Sequence, residues 1–230
     1  MKISDIQKDL KASITPGKAE ILSRFFKTGK GEYGEGDVFI GVMVPEIRKV
    51  AKKYKDISLN ELQKMMSSKI HEERLCAALI LTYRKLDQNV VDFYLSNTPY
   101  LNNWDIIDLT APKVLGKWML AQRDDRKILY KFAKSKSLWE RRIAVLSTFA
   151  FIREKDFEDT LAIAEILLQD NHDLIHKAVG WMLREIGKRD QKIEEKFLKK
   201  FYKKMPRTML RYAIERFEET KRKSYLNGTK

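Results

Sequence analysis

The chain has 230 residues, with 46 Lys and Arg against 32 Asp and Glu, for a formal charge of +14. Its 43% apolar residues are enough for a core, which excludes disorder as the main state, and no apolar run has the length of a leader peptide or a membrane span. A single cysteine, Cys76, excludes an internal disulfide and a thiolate metal centre, so the expected setting is reducing and cytoplasmic, away from membranes.

Apolar residues return at intervals of three and four along nearly the whole sequence, and proline occurs only five times, so the predicted elements are helices throughout. In chain order the helix starts are Thr15-Pro16, Val44-Pro45, Ser58 with Glu61, Ser137 with Glu140, and Asp156 with Asp159, each a cap or a proline near the first helical position. Asp124-Asp125 reads as a turn that caps the helix after it. Between the first two starts lies GKGEYGEGDVFIGVMV, residues 29–44, which holds five of the ten glycines. It lacks the Lys-Ser/Thr ending of a phosphate-binding loop and has no strand before it, so it reads as a connection that turns the chain.

From residue 58 onward a period emerges. Equivalent positions in successive second helices fall at Arg74, Ile107, Arg142, His176 and Arg211, spaced 33, 35, 34 and 35 residues apart. Two residues further on stand Cys76, Leu109, Ala144, Ala178 and Ala213, small in four of five cases, as close helix packing requires. The expected fold is therefore all-α, a HEAT-like helical-repeat superhelix (an α–α solenoid) that curves and leaves a concave face lined by the second helices. Residues 1–220 read as one domain: 1–57 are N-terminal helices with the glycine-rich connection, and 58–219 are five helix pairs. Residues 221–230 read as a basic tail. From Lys188 to the end, 15 Lys and Arg face 6 Asp and Glu, which fits a polyanion partner and equally a solvated, lysine-rich surface.

The position after each marker is apolar in three repeats (Leu75, Ile143, Tyr212) but holds Asp108 in one and Lys177 in another. A carboxylate there breaks a local rule, as functional positions do, although capping, pairing with arginine or exposure to solvent would also account for it. Trp104 lies one helical turn before Asp108, and Trp181 falls on the same stripe two repeats later. Core packing and stacking on a ligand both suit an indole at these places. His172 and His176 have the spacing of two metal ligands but no third ligand and no adjacent glutamate, so no metal is expected. Cys76, in the small-residue column, reads as a packed core thiol.

Taken together, Trp104-Asp105-Ile106-Ile107-Asp108, Leu138-Trp139-Glu140-Arg141-Arg142, Lys177 to Glu185 (KAVGWMLRE) and Pro206 to Ala213 (PRTMLRYA) resemble the DNA alkylation repair family of AlkD-like HEAT-repeat DNA glycosylases. Gly34-Glu35-Gly36-Asp37, Phe39, Gly41-Val42 and Val44-Pro45 to Arg48 extend the resemblance to the N-terminal region. It implies an all-helical, C-shaped solenoid whose concave basic face grips DNA, and excision of N3- and N7-alkylated purines from double-stranded DNA, with no metal or organic cofactor and without drawing the lesion into a base pocket. It also implies that Asp108 is the catalytic carboxylate, that Trp104 and Trp181 contact the lesion, and that Arg142, with Arg184 and Lys177 at the margin, binds phosphates. Asn103 stands where the family's pattern has a second aromatic, and Pro112 is placed to kink the helix that carries Asp108. A monomer is expected, since a basic surface repels its own copy. The alternative is a non-catalytic solenoid of the same kind that binds DNA or RNA structures.

Overall fold

The computed structural model describes residues 1–230 apart from the side chain of Asp124, so the capping expected of that residue lies outside what is described. The chain is helical as expected, and among the described residues the only β-pairings are two isolated bridges, Ile14 with Val42 and Val38 with Ile70. It divides into two compact units, Met1–Thr110 and Ala111–Lys230.

The first unit contains α1 (Ile3–Ala12), α2 (Lys18–Phe25), α3 (Val44–Lys53), α4 (Leu59–Met66), α5 (His71–Thr82), α6 (Gln88–Ser96) and α7 (Trp104–Thr110). Helix α5 is its centre: every residue from His71 to Leu81 is buried, with α3, α4 and α7 packed around it. That helix reads LCAALIL through its middle, apolar on all sides, as a helix covered on all sides must be. Ser58 caps α4 by accepting from the Glu61 N–H at 3.3 Å, as the sequence suggests. Pro45 stands in the first turn of α3, where its missing N–H costs nothing. Thr15-Pro16 precedes α2 by a turn, and the helix itself starts after Gly17, which adopts the left-handed conformation at φ 75°.

The second unit contains α8 (Lys117–Ala121), α9 (Lys127–Ala133), α10 (Leu138–Ser147), α11 (Phe149–Arg153), α12 (Glu158–Ile166), α13 (Asp173–Gly187), α14 (Gln191–Phe201), α15 (Arg207–Ala213) and α16 (Glu219–Asn227). Pro112 acts where the sequence places a kink: residues Pro112–Gly116 are wound wider than an α-helix, with the Gly116 N–H reaching Ala111 O at 3.0 Å. Helices α10, α13 and α15, the second members of their pairs, pack on one another in series, and Ala144, Ala178 and Ala213 are buried along the seam. Ser137 caps α10 as expected. Asp156 and Asp159 do something else. Both accept from the Arg126 guanidinium, at 2.8 and 2.6 Å, because a charge-assisted pair outbids a turn of backbone N–H groups. Asp125 accepts from the Trp118 indole at 2.8 Å. Residues beyond Lys221 mostly continue α16, anchored by Tyr225, which is buried against Tyr202 and Phe217.

Candidate functional site

Trp104 opens α7, and its backbone N–H is capped by the side chain of Asn103 at 2.9 Å. Four residues is about one turn, so Trp104 and Asp108 emerge on one side of the helix. Both are half-buried, and both line a cavity of about 350 Å³ in the first unit. Phe25 and Phe26 at the end of α2, Phe39 and Val42 from the glycine-rich segment, and Ile47 of α3 supply much of the remaining wall. The lining is almost wholly apolar. Phe26 stacks on Trp104 with centroids 5.1 Å apart, and Phe25, 61% exposed, meets the indole edge-on at 5.8 Å. Such pairs fix ring orientation as well as burying area.

The glycine-rich segment thereby gains a role that composition could not reveal: it is a wall of this cavity. One side chain holds it. The buried Glu72 carboxylate accepts the N–H groups of Ile40, Gly41 and Val42 at 3.1, 2.8 and 3.2 Å. Gly41 sits at φ 91° with its Cα side turned to the Thr15 carbonyl, so a Cβ there would lie 3.1 Å from that oxygen. Left-handed backbone and close approach together require glycine at this point.

Part of the cavity wall belongs to a buried charged cluster that the sequence reading missed: His71 and Asp105 both line the cavity. His71 lies between two carboxylates, Nδ1 3.1 Å from Asp37 and Nε2 2.9 Å from Asp105. Burial opposes a charge on the imidazole, but Asp105 and Asp37 outweigh it and raise its pKa to about 9. Asp37 also accepts from Arg74 at 2.5 Å, Asn102 at 3.1 Å and Asn103 at 3.3 Å; against the cost of burial, His71 first, then the charge of Arg74 and the Asn103 bond, hold its carboxyl below the usual range. Asn103, at the place of the anticipated second aromatic, thus caps α7 and binds Asp37. The available signal was HEER at the start of α5: four polar residues opening an otherwise apolar helix, all of them buried. Burial, with the charge of Asp108 adding to it, raises the Tyr94 phenol far above its ordinary range, and Tyr94 pairs with Thr110 at 3.0 Å.

The other expected residues lie in the second unit. Trp181 on α13 is half-buried, its ring 5.7 Å from Phe149 and its Nε1–H donating to Glu185 at 3.3 Å. Arg142 on α10 is only 4% exposed and donates to the Leu174 carbonyl. Lys177 pairs with Asp173 at 2.6 Å, and Arg184 pairs with Glu215. His172 and His176 serve the backbone: His172 caps α13 by accepting from the Leu174 N–H, and His176 contacts the Asp170 carbonyl. Among the described residues no group of three or more His, Cys, Asp or Glu is arranged to hold a metal ion, and no helix is long and apolar enough to cross a membrane.

The fold has solved counterparts. A predicted DNA alkylation repair enzyme from Enterococcus faecalis superposes with a TM-score of 0.73 at 17% identity, covering 90% of this chain and 98% of its own. AlkD2 from Streptococcus mutans gives 0.58 at 18% identity over 94% of this chain and 97% of its own. The protein smu.31 from Streptococcus mutans UA159 gives 0.59 at 16% identity over 88% and 99%. At these identities the likeness shows the fold alone, and no curated relative matches the sequence significantly. The sequence family described as DNA alkylation repair enzyme, however, matches residues 6–217. The chain belongs to the DNA alkylation repair enzyme family.

Proposed function

We propose that the protein is a DNA glycosylase that hydrolyses the N-glycosidic bond of cationic N3- and N7-alkylated purines in duplex DNA. The observation that carries this reading is the shared face of α7, from which Trp104 and Asp108 together line a cavity rich in aromatic side chains. Family membership supports the substrate class.

Alkylation at N3 or N7 gives the purine a formal positive charge and makes it a good leaving group. When the C1′–N9 bond breaks, its electron pair goes to the base and neutralises it, and positive charge develops on the deoxyribose. Asp108 stabilises that oxocarbenium-like sugar and orients the water that adds to C1′, whose proton is then lost to solvent. Reaction balance needs water alone. Trp104 and Trp181 offer indole faces that attract a cationic base by stacking and cation–π contact. Lys177 and Arg184 reach phosphates by exchanging Asp173 and Glu215 for them, whereas Arg142 must give up the Leu174 carbonyl.

The cavity's apolar lining supports a lesion that is not drawn into a base pocket, because a purine's polar edge would find few partners there. The test is release of 7-methylguanine or 3-methyladenine from methylated duplex by the purified protein. Asp108→Asn is expected to cut release at least about 100-fold while leaving duplex affinity within about threefold. Equal release by the variant would reject the assignment of Asp108.

A further inference from the structure

The charged cluster in the cavity wall plays no part in the chemistry above, yet it reaches the first turn of the helix that presents Trp104 and Asp108 and the two residues that lead into it. We propose that His71, lodged between the Asp37 and Asp105 carboxylates, is a positioning residue for base excision, fixing the rotation of α7 and hence the placement of Trp104 and Asp108 at the cavity. The inference rests on the glycosylase reading.

Geometry argues for it in three ways. Asp105 follows Trp104 directly and precedes Asp108 by three residues, and its two oxygens are divided: Oδ1 accepts from the Ile106 N–H at 2.8 Å, and Oδ2 faces His71. One carboxylate therefore ties the first turn of α7 to α5. Asp37, on the other side of the imidazole, is held by Asn102 and Asn103, the two residues that lead into α7. A contact of rings completes the connection, since the imidazole lies 4.4 Å beneath Phe39, Phe39 stacks on Phe26 at 5.0 Å, and Phe26 stacks on Trp104. His71 thus touches the helix directly at Asp105, and is linked to its leader through Asp37 and to its indole through Phe39 and Phe26.

Histidine suits the place for a reason other residues of that size do not share. A neutral imidazole has one N–H and can donate to one carboxylate, while the imidazolium donates to both. The groups that face it from each neighbouring element are few: Asp37 from the glycine-rich segment, Asp105 with Asp108 beyond it on α7, and on α5 itself Glu72, Glu73 and Arg74. Glu72 is turned to the backbone of residues 40–42, Glu73 accepts from Gln7 at 3.0 Å, and Arg74 serves Asp37 and the Ser68 carbonyl. Two cations and two carboxylates are left to balance one another. Burying them gains little stability over apolar side chains of the same volume, so what the cluster offers is a unique arrangement of the three segments it joins.

The experiment compares wild type with His71→Gln on a methylated duplex, measuring the single-turnover excision rate at saturating enzyme, the duplex Kd and the melting curve. A folded variant is expected to lose at least about tenfold in rate with Kd within about threefold, a loss confined to the chemical step. A rate within twofold of wild type overturns the proposal. If His71→Gln does not fold, the wild-type rate is followed from pH 7 to 10 with base loss in enzyme-free DNA subtracted. A decline centred near pH 9 without loss of affinity supports the role, and a flat rate overturns it. Wild type that frees no base at all sinks the glycosylase reading by itself. Positioning is then read from the fluorescence of a variant whose only tryptophan is Trp104: a change in emission between pH 7 and 10 supports the clamp, and an unchanged spectrum refutes it.

Discussion

Glu194 shows what a single buried group can do to the molecule's response to pH. It is 1% exposed, one of its oxygens has no hydrogen-bond partner, and burial, reinforced by Glu195 and opposed by Arg184, raises its pKa to about 9. Below the unfolded value both states hold the proton. Between the ordinary carboxylate pKa and about 9 only the folded state keeps it, so the unfolded chain binds fewer protons and stability falls as pH rises across that window. Glu194→Gln, with nearly the same shape and no proton to lose, should be neutral near pH 4 and more stable than wild type by several kcal/mol near pH 9, as read by urea unfolding at the two values. At this scale the sequence offered the candidate carboxylate, because it breaks an apolar pattern, and the indole beside it, because it lies one helical turn away on the same stripe. It did not show His71 or Asp37, whose partners lie 34 or more residues away along the chain. Spacing along one helix is visible in a sequence; a charge balanced by three segments is not.

Helices meet closely where Gly180 faces α15. A Cβ at that position would lie 2.4 Å from the Met209 carbonyl oxygen and 2.5 Å from the Cβ of Tyr212, atoms that cannot swing aside. Gly180→Ala must push α13 away from α15, and although alanine favours the helix intrinsically, overpacking of this kind costs about 1–3 kcal/mol. A melting temperature at or above that of wild type would contradict the close approach. Because Trp181 is the next residue, the same variant should also shift its emission. Ser58 and Ser137 were legible as caps, since the N–H groups that donate to them lie three residues away. Asp156 and Asp159 looked the same and were not, because Arg126, some 30 residues upstream, takes both. Local signals decide helix ends only where no stronger distant partner competes. Likewise the basic stretch beyond Lys221 reads as a tail until Tyr225 is seen to be buried.

For the whole molecule, the repeat of about 34 residues made the helical class readable, and the buried alanines of α10, α13 and α15 confirm the small-residue column in the second unit. The division between units falls after Thr110, beside Pro112, the one proline that the sequence marked as a break in a helix. Charge at this scale makes its own prediction. If Arg142, Lys177 and Arg184 each neutralise one phosphate, the logarithm of duplex affinity should fall against the logarithm of salt with a slope of about −2.7, roughly fortyfold between 50 and 200 mM. A filter-binding or anisotropy titration checks it. A slope near zero would count against phosphate contacts altogether, and a much steeper one would enlist further lysines, such as Lys192, Lys196 and Lys199, which are exposed on α14.

Glu72 grips its neighbours only by their main chain. Amide hydrogens cannot be mutated away except by introducing proline, so drift in the gripped stretch leaves the attachment intact wherever the new side chain can be accommodated. The other half of the bond has no such protection: one codon, at position 72, decides whether that wall of the cavity stands still or swings.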